Sequence, residues 1–338
     1  MSSMGDVFHL FPALTDAVRA IPDLQVDWVV EEGFAEIPAW HPAVKKVHPI
    51  GLRRWRQGWF ERANRLERKA FFNTLKHNRY DVVLDAQGLL KSAWVARKIK
   101  SPIAGYDWQS AREPLATLFY QFKYPIAKDQ HAILRLRQLF AQSLHYALPD
   151  NPPIVYGLDT QAWSKPENVV SQFSEAPYWV FLHGTTWDTK YWPEDHWIEL
   201  LQKANALGVK VILPWGNEEE FQRAQRFATR VDANQVWVPK AMLSLNEMAK
   251  VLKHAQAVVS VDTGLSHVAA ALDVPMVVLY RVTDPKLVGA DGTKVIRLAS
   301  PCAPDYIKVF SGEKQALESL QGLGVETVLN HILDRIKQ

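Results

Sequence analysis

Residues 258–270 read Val-Val-Ser-Val-Asp-Thr-Gly-Leu-Ser-His-Val-Ala-Ala. An apolar run stops at Asp262, a small turn containing glycine follows, and a second apolar stretch begins near Leu265. A strand, a tight turn and a helix in that order leave the backbone N–H groups of Thr263, Gly264 and Leu265 at a helix N-terminus. Unpaired donors and the helix dipole there favour an anion such as phosphate. Gly264 lets the backbone approach a ligand closely, and Asp262 and His267 add a carboxylate and an imidazole to the same mouth. The pattern by itself also fits an ordinary strand-to-helix turn capped by Thr263 and Ser266, with His267 on the surface.

Four further segments carry chemistry. Ser2-Ser3-Met4-Gly5-Asp6 is a small-residue turn opening a helix. Asp6 is either a general base for a hydroxyl nucleophile or, with Ser3, a helix cap. His183-Gly-Thr-Thr-Trp-Asp-Thr-Lys-Tyr-Trp-Pro193 joins a strand to a helix. Its Thr185, Thr186 and Lys190 suit phosphate oxygens, as hydroxyl donors and a point charge. Glu220 follows Pro214-Trp215-Gly216, as an acceptor for ribose hydroxyls or a first-turn glutamate favoured by the dipole. Residues 53–79 hold nine cations, among them Arg53, Arg54 and Arg56, against Glu61 and Glu67, with Trp55, Trp59 and Phe60 interleaved. That stretch is either a face for an anionic, lipid-bearing substrate at a membrane surface or a solvated amphipathic helix. Gln87 in Asp85-Ala86-Gln87-Gly88 and Arg112 in Arg112-Glu113-Pro114 fall at the ends of elements, where acceptor contacts belong.

These residues need a scaffold of alternating strands and helices. The spacing predicts helices over 7–20, the second half of 52–78, 129–146, 193–206, 218–230, 244–255, 267–272 and 313–336, and another starting at Leu89. It predicts strands over 25–32, 44–49, 80–85, 103–106, 178–183, 210–214, 235–238, 257–261 and 275–280. Ser244 and Glu247 have capping-box spacing. Such alternation means parallel sheets with right-handed crossovers. The proline-rich, polar stretch 147–177 is the expected boundary. The reading is therefore an α/β chain of two Rossmann-like domains facing across a cleft, 1–160 and 161–338, with the final helix able to pack back on the first.

The 338 residues are 48% hydrophobic and 22% charged with a net charge of +3, which is globular and does not call for nucleic acid. One cysteine, Cys302, excludes an internal disulfide and any cysteine zinc site. This fits a reducing compartment. No signal-peptide pattern and no apolar run of about 18 residues is present. Trp55, Trp59 and Trp108 sit beside basic residues, suiting an interface as well as a core.

Several segments, in order, resemble the lipopolysaccharide heptosyltransferase family: Ser2–Val7, Val26–Phe34, Asp85–Gly88, Trp108–Pro114 and Ser260–His267. The resemblance runs from Ser2 to about Asp284. It implies a GT-B fold and an inverting transfer of L-glycero-D-manno-heptose from ADP-heptose to the first Kdo of Kdo2-lipid A. It assigns the base to Asp6 and donor phosphate contacts to Thr185, Thr186, Lys190, Thr263, Gly264 and His267. Asp262 then orients the heptose and Glu220 holds the ribose. Ser3, Arg53, Arg54, Arg56, Gln87 and Arg112 face the acceptor. No cofactor or catalytic metal is expected, and the implied location is peripheral, on the cytoplasmic face of the inner membrane. Alternatives are transfer to an already heptosylated acceptor, another GT-B sugar transfer, or an inactive nucleotide-sugar- or lipid-binding homologue. There are two departures. Family members have an apolar strand ahead of the Ser-Ser-Met-Gly-Asp turn, so the expectation is an N-terminal sheet lacking its first, central strand and a chain poorly soluble or inactive as written. Arg281-Val282 stands where the family usually has Gly-Pro.

Overall fold

The first helix starts a turn earlier than its apolar spacing predicts, because Ser3 and Asp6 cap it reciprocally. Ser3 Oγ accepts from the Asp6 N–H at 3.3 Å, and the Asp6 carboxylate accepts from the Ser3 N–H at 3.4 Å, closing a capping box. The computed structural model describes residues 3–174 and 176–337. Ser2, the first residue of the N-terminal turn, lies outside the described residues. The chain divides into two compact units, Met1–Asp159 and Thr160–Gln338.

The first unit runs α1 (Met4–Ala20), β1 (Val26–Glu31), β2 (Val44–Ile50), α2 (Leu52–Gln57), α3 (Arg62–His77), β3 (Val83–Asp85), α4 (Leu90–Ala96), β4 (Ile103–Tyr106), β5 (Phe122–Tyr124) and α5 (Ala132–Leu144). The basic segment is helical in both halves, not only the second. Its first helix forms because Leu52 and Trp55 are drawn into the core. All strand pairs are parallel, but they form two sheets, β2-β1 and β3-β4-β5. A cavity of about 720 Å³ lies between β1 and β3, lined by Leu10, Leu14, Val26, Trp28, Val83 and Leu84. Strand β3 is only half as long as the apolar run Tyr80–Asp85: β4 supplies its ladder on one edge, from Val83 to Asp85. Backbone groups left unpaired along a buried edge cost about 1–3 kcal/mol each.

Helix α1 packs on α5 through Ala13, Ala17, Leu136 and Phe140. Beside that seam Arg137, 3% exposed, donates to both Asp16 carboxylate oxygens at 2.5 and 3.0 Å. It also donates to the Pro152 and Pro153 carbonyls at 2.8 and 3.2 Å. One guanidinium thus fixes two helices and the chain leaving the unit.

The second unit contains α6 (Glu167–Phe173), β6 (Tyr178–Leu182), α7 (Glu194–Ala206), β7 (Lys210–Ile212), α8 (Glu218–Ala228), β8 (Val236–Trp237), α9 (Leu245–Lys253), β9 (Ala257–Val261), α10 (Gly264–Ala271), β10 (Met276–Tyr280), α11 (Pro285–Val288), β11 (Val295–Ala299), α12 (Glu313–Glu318) and α13 (Val325–Lys337). Its six strands form one sheet, wholly parallel, in the order β11-β10-β9-β6-β7-β8. Strands β6, β9 and β10 are buried along their whole length, as a sheet covered on both faces requires. Ser244 and Glu247 form the expected capping box of α9.

Two expectations fail here. The polar stretch thought to be linker folds its last part into α6, because Val169 and Phe173 are buried. The single C-terminal helix is two, α12 and α13. Gly322, with φ of +78°, sits in the left-handed region between them. The final helix contributes to the second unit's own core: Val325, Val328 and Ile332 pack around Trp192, Trp197 and β9. No helix among the described residues is long and apolar enough to cross a membrane.

Removing one partner of a buried ion pair strands the other charge. Arg137→Met is therefore expected to destabilise the first unit by about 3–5 kcal/mol, read from its transition in urea. A loss below about 1 kcal/mol, the ordinary worth of a surface pair, would contradict the role given to this residue.

Candidate functional site

In the second unit the chain goes one way from β6 to β7 and β8, then returns to β9 on the other side of β6. That reversal between β6 and β9 is the place where parallel α/β sheets hold ligands, outside the carboxyl ends of the strands. The segments singled out in the sequence are the two loops leaving those strands. Asp262 ends β9. Its Oδ2 accepts from Lys190 Nζ at 2.6 Å and from Thr283 Oγ1 at 2.7 Å. Its backbone carbonyl accepts from Thr185 Oγ1 at 2.9 Å. Three loops, after β6, β9 and β10, are thereby tied to one residue.

Helix α10 starts at Gly264, with Thr263 as an extended N-cap whose side chain makes no capping bond. The hydroxyl of Ser266 donates back to the Thr263 carbonyl at 2.6 Å. Capping by Thr263 and Ser266 side chains is thus not what this turn does, and first-turn N–H groups remain available to an anion. His267 is in the first turn and buried at 6% exposure, not on the surface. Thr186 is exposed on the β6 loop. Lys190 is expected on a phosphate but stands on Asp262, with its ammonium also 4.6 Å from the Trp187 ring centroid.

Glu220 lies in the first turn of α8, where Asn217 caps the helix through the Glu220 N–H at 2.9 Å. Its carboxylate accepts from the Gly216 N–H at 2.8 Å. A Cβ on Gly184 would meet that carboxylate, so the absence of a side chain at 184 is what lets Glu220 rest against the β6 loop. Glu220 therefore joins the β6 and β7 loop ends at the same edge of the sheet.

In the first unit Asp6 is met by two of the other predicted residues. Arg112 Nη2 donates to Oδ1 at 3.1 Å and Gln87 Nε2 to Oδ2 at 3.4 Å. Asp6, Gln87 and Arg112 all line the polar end of the cavity beside β3. Ser3 is the cap of the same helix. The turn bearing Gln87 is built on Asp85, which is buried at 5% exposure. Asp85 accepts from Tyr120 Oη at 2.6 Å, Ser92 Oγ at 2.8 Å, and the Gln87 and Gly88 N–H groups at 3.0 and 3.3 Å. Burial pushes its carboxyl above the usual range, while those four donors favour the charged form. Gly88, with φ of +63°, completes the turn against Tyr106 and Arg112.

The basic face is less uniform than its sequence. Arg54 is held between Glu32 at 2.9 Å and Glu67 at 2.8 Å, and these carboxylates raise its pKa further. It is a local crosslink, and not the open cation that its position in the sequence implies. Arg53 gives its backbone N–H to Glu31 at 2.9 Å and lies over the Phe34 ring, while Arg56 is exposed. Trp55 is core, 1% exposed, and Trp59 stacks under Arg68 at 4.0 Å. Phe60, at 91% exposure, and Leu66, at 56%, project beside Arg62, Arg65 and Lys69.

Sequence reasoning missed two members of the second-unit site. Thr283, which directly follows Arg281-Val282, is absent from the predicted site residues, yet its hydroxyl donates to Asp262. Tyr191 was read only as part of a polar loop, yet its hydroxyl donates to the Thr185 carbonyl at 2.9 Å. Only their place in the loops that follow β6 and β10 could have signalled them. Among the described residues no group of three or more His, Cys, Asp or Glu is arranged to hold a metal ion.

Comparison with known proteins agrees with this geometry. The family model described as glycosyltransferase family 9 (heptosyltransferase) matches residues 68–315. The lipopolysaccharide heptosyltransferase 1 of Pseudomonas aeruginosa is 53% identical over 306 residues, covering 90% of this chain and 83% of that one. The structure of Escherichia coli heptosyltransferase WaaC with ADP superposes with a TM-score of 0.87 at 45% identity, covering 99% of this chain and 98% of that one. The same enzyme with ADP-2-deoxy-2-fluoro heptose gives 0.83 at 44% identity, over 99% and 97%. With two parallel α/β units, this sheet order and these relatives, the chain belongs to glycosyltransferase family 9, the heptosyltransferases, and is an enzyme of the GT-B type.

Proposed function

We propose that this enzyme transfers L-glycero-D-manno-heptose from ADP-heptose to the first Kdo of Kdo2-lipid A, with inversion, in lipopolysaccharide inner-core assembly. The observation that carries the reading is the convergence at the β6/β9 crossing of Thr185, Lys190, Asp262, Thr283 and the N-terminus of α10. Cation, hydroxyls and helix N–H groups there suit a diphosphate, and Glu220 at the neighbouring loop ends suits a ribose. The named relatives, one of them solved with ADP and with an ADP-heptose analogue, support the same donor.

In this reading the first unit handles the acceptor. Asp6 removes the proton of the acceptor hydroxyl as that oxygen bonds to the anomeric carbon. The bond from that carbon to the ADP phosphate oxygen breaks, and ADP leaves with the electron pair. Arg112 and Gln87 hold the Asp6 carboxylate in place. Helix N–H groups and Lys190 stabilise the charge growing on the departing diphosphate. The leaving group needs donors more than a strong acid, so transfer is expected to proceed unchanged in EDTA. The acidic, lipid-bearing acceptor meets Arg53 and Arg56. Exposed Phe60 and Leu66 among the cations of α3 suit peripheral contact with the anionic cytoplasmic face of the inner membrane.

The direct test is mass spectrometry of Kdo2-lipid A after incubation with ADP-heptose: the reading requires addition of one heptose. Addition only to an already heptosylated acceptor would replace it with the second-step activity, and ADP binding without transfer to either would mean a non-catalytic homologue. Asp6→Asn is expected to lower kcat by roughly 10²-fold or more with donor affinity little changed. Near-normal turnover would reject Asp6 as the base.

Neutralising Arg53 and Arg56 together is expected to raise the acceptor KM and flatten its salt dependence, because screening then acts on fewer cations. The donor KM should not move. Arg54→Gln should not reproduce this pattern, since that guanidinium already faces two carboxylates. Equal effects on both substrates would point to unfolding and contradict the assignment.

A further inference from the structure

The loop after β10 carries an arginine that neither the site reading nor the proposed chemistry uses. Arg281 is buried at 7% exposure. Its guanidinium donates to the Tyr191 carbonyl, to Ser319 Oγ at 2.6 and 3.2 Å, and to the Ala316 carbonyl at 3.1 Å. It also lies 5.1 Å from the Phe310 ring centroid. One side chain thus connects three stretches of chain: the β10 loop, the end of the β6 loop, and α12 with the segment before it.

Tyr191 is the point where this matters. Arg281 holds its carbonyl, Arg223 sits 3.9 Å over its ring, and its hydroxyl donates to the Thr185 carbonyl. Thr185 in turn donates to the Asp262 carbonyl. A continuous path of hydrogen bonds therefore runs from Arg281 through Tyr191 and Thr185 to the residue at the centre of the donor site. Thr189 in the same loop donates to the Ile307 carbonyl at 2.7 Å, and Lys308 lies 5.3 Å from the Trp187 ring centroid. The segment before α12 therefore runs along the outside of the β6 loop, and Arg281 is its anchor from beneath.

We propose that Arg281 is a positioning residue for the donor: it locks residues 185–191 in the conformation that binds the nucleoside diphosphate, using the segment 307–319 as the brace. A guanidinium fits this task because its planar fork of donors can satisfy several carbonyls and a hydroxyl at once. Burial holds its pKa down to about 10, still well above neutrality, so the fork stays charged. A loop displaced by an ångström misplaces Thr185 and Lys190 together, which is costly for an oriented site. The proposal rests on the reading of this site as the ADP-heptose site.

The test compares wild type with Arg281→Met and Arg281→Lys. Calorimetry with ADP, donor and acceptor KM, and amide hydrogen exchange over 185–191 are measured at a temperature where all three are folded. Arg281→Met is expected to weaken ADP binding and raise the donor KM by about tenfold, with the acceptor KM unmoved. Exchange in 185–191 should quicken. Arg281→Lys, which keeps the charge and loses the fork, should fall between, and it carries the test if the methionine variant does not fold. A folded variant with wild-type ADP affinity and unchanged exchange overturns the proposal, as does an equal rise in both KM values. Failure of the wild type itself to bind ADP would instead overturn the donor-site reading, and the exchange measurement would still decide whether Arg281 locks the loop.

Discussion

Asp262 retains 16% of its side-chain exposure and carries a charge at the end of a fully buried strand. A carboxylate so placed is tolerated only when partners replace its water. Lys190 and Thr283 are those partners, and the Asp262 carbonyl captures Thr185 as well. The consequence is geometric more than energetic. Loops leaving β6, β9 and β10 have no secondary structure to fix them relative to one another, and this node does so. With the loops fixed, the opening turn of α10 faces outward from a defined rim, and Glu220 closes the neighbouring edge.

The first unit repeats the device with different chemistry. Asp85 ends β3 as Asp262 ends β9, but its partners are Tyr120, Ser92 and the turn's own N–H groups, none of them a cation. It shapes a turn. The turn it shapes delivers Gln87 to Asp6, and Arg112 reaches the same carboxylate from another segment. Each unit thus places a strand-end aspartate where a neighbouring loop must be held, and the first unit has a second, more accessible carboxylate in Asp6.

Much of this was legible in the sequence because it depends on local rules. The turn at Asp262–His267, the capping box at Ser244 and Glu247, and the alternation of apolar strands with helices all follow from neighbouring residues. What was not legible depends on distant ones. The length of β3 is set by which strand lies beside it, and α6 by whether Val169 and Phe173 find a core. Arg54 reads as one cation in a basic run until Glu32, 22 residues earlier, comes into contact with it. Thr283 and Arg281 matter through residues 21 to 90 positions away, and no spacing rule could pair them. Lys190 is read from the sequence as a cation for phosphate oxygens, and its partner Asp262 lies 72 residues on.

The central claim is that the rim around Asp262 is a nucleoside-diphosphate site in which Lys190 serves both the carboxylate and the incoming phosphate. Calorimetric titration of ADP into the wild type and into Lys190→Ala tests it most directly. The variant loses a charged hydrogen bond to the ligand and leaves Asp262 uncompensated beside an anion, two effects of the same sign. The account predicts ADP binding to the wild type and a loss of about 1.5–3 kcal/mol in the variant. Unchanged affinity in a folded Lys190→Ala protein would contradict it and move the diphosphate elsewhere.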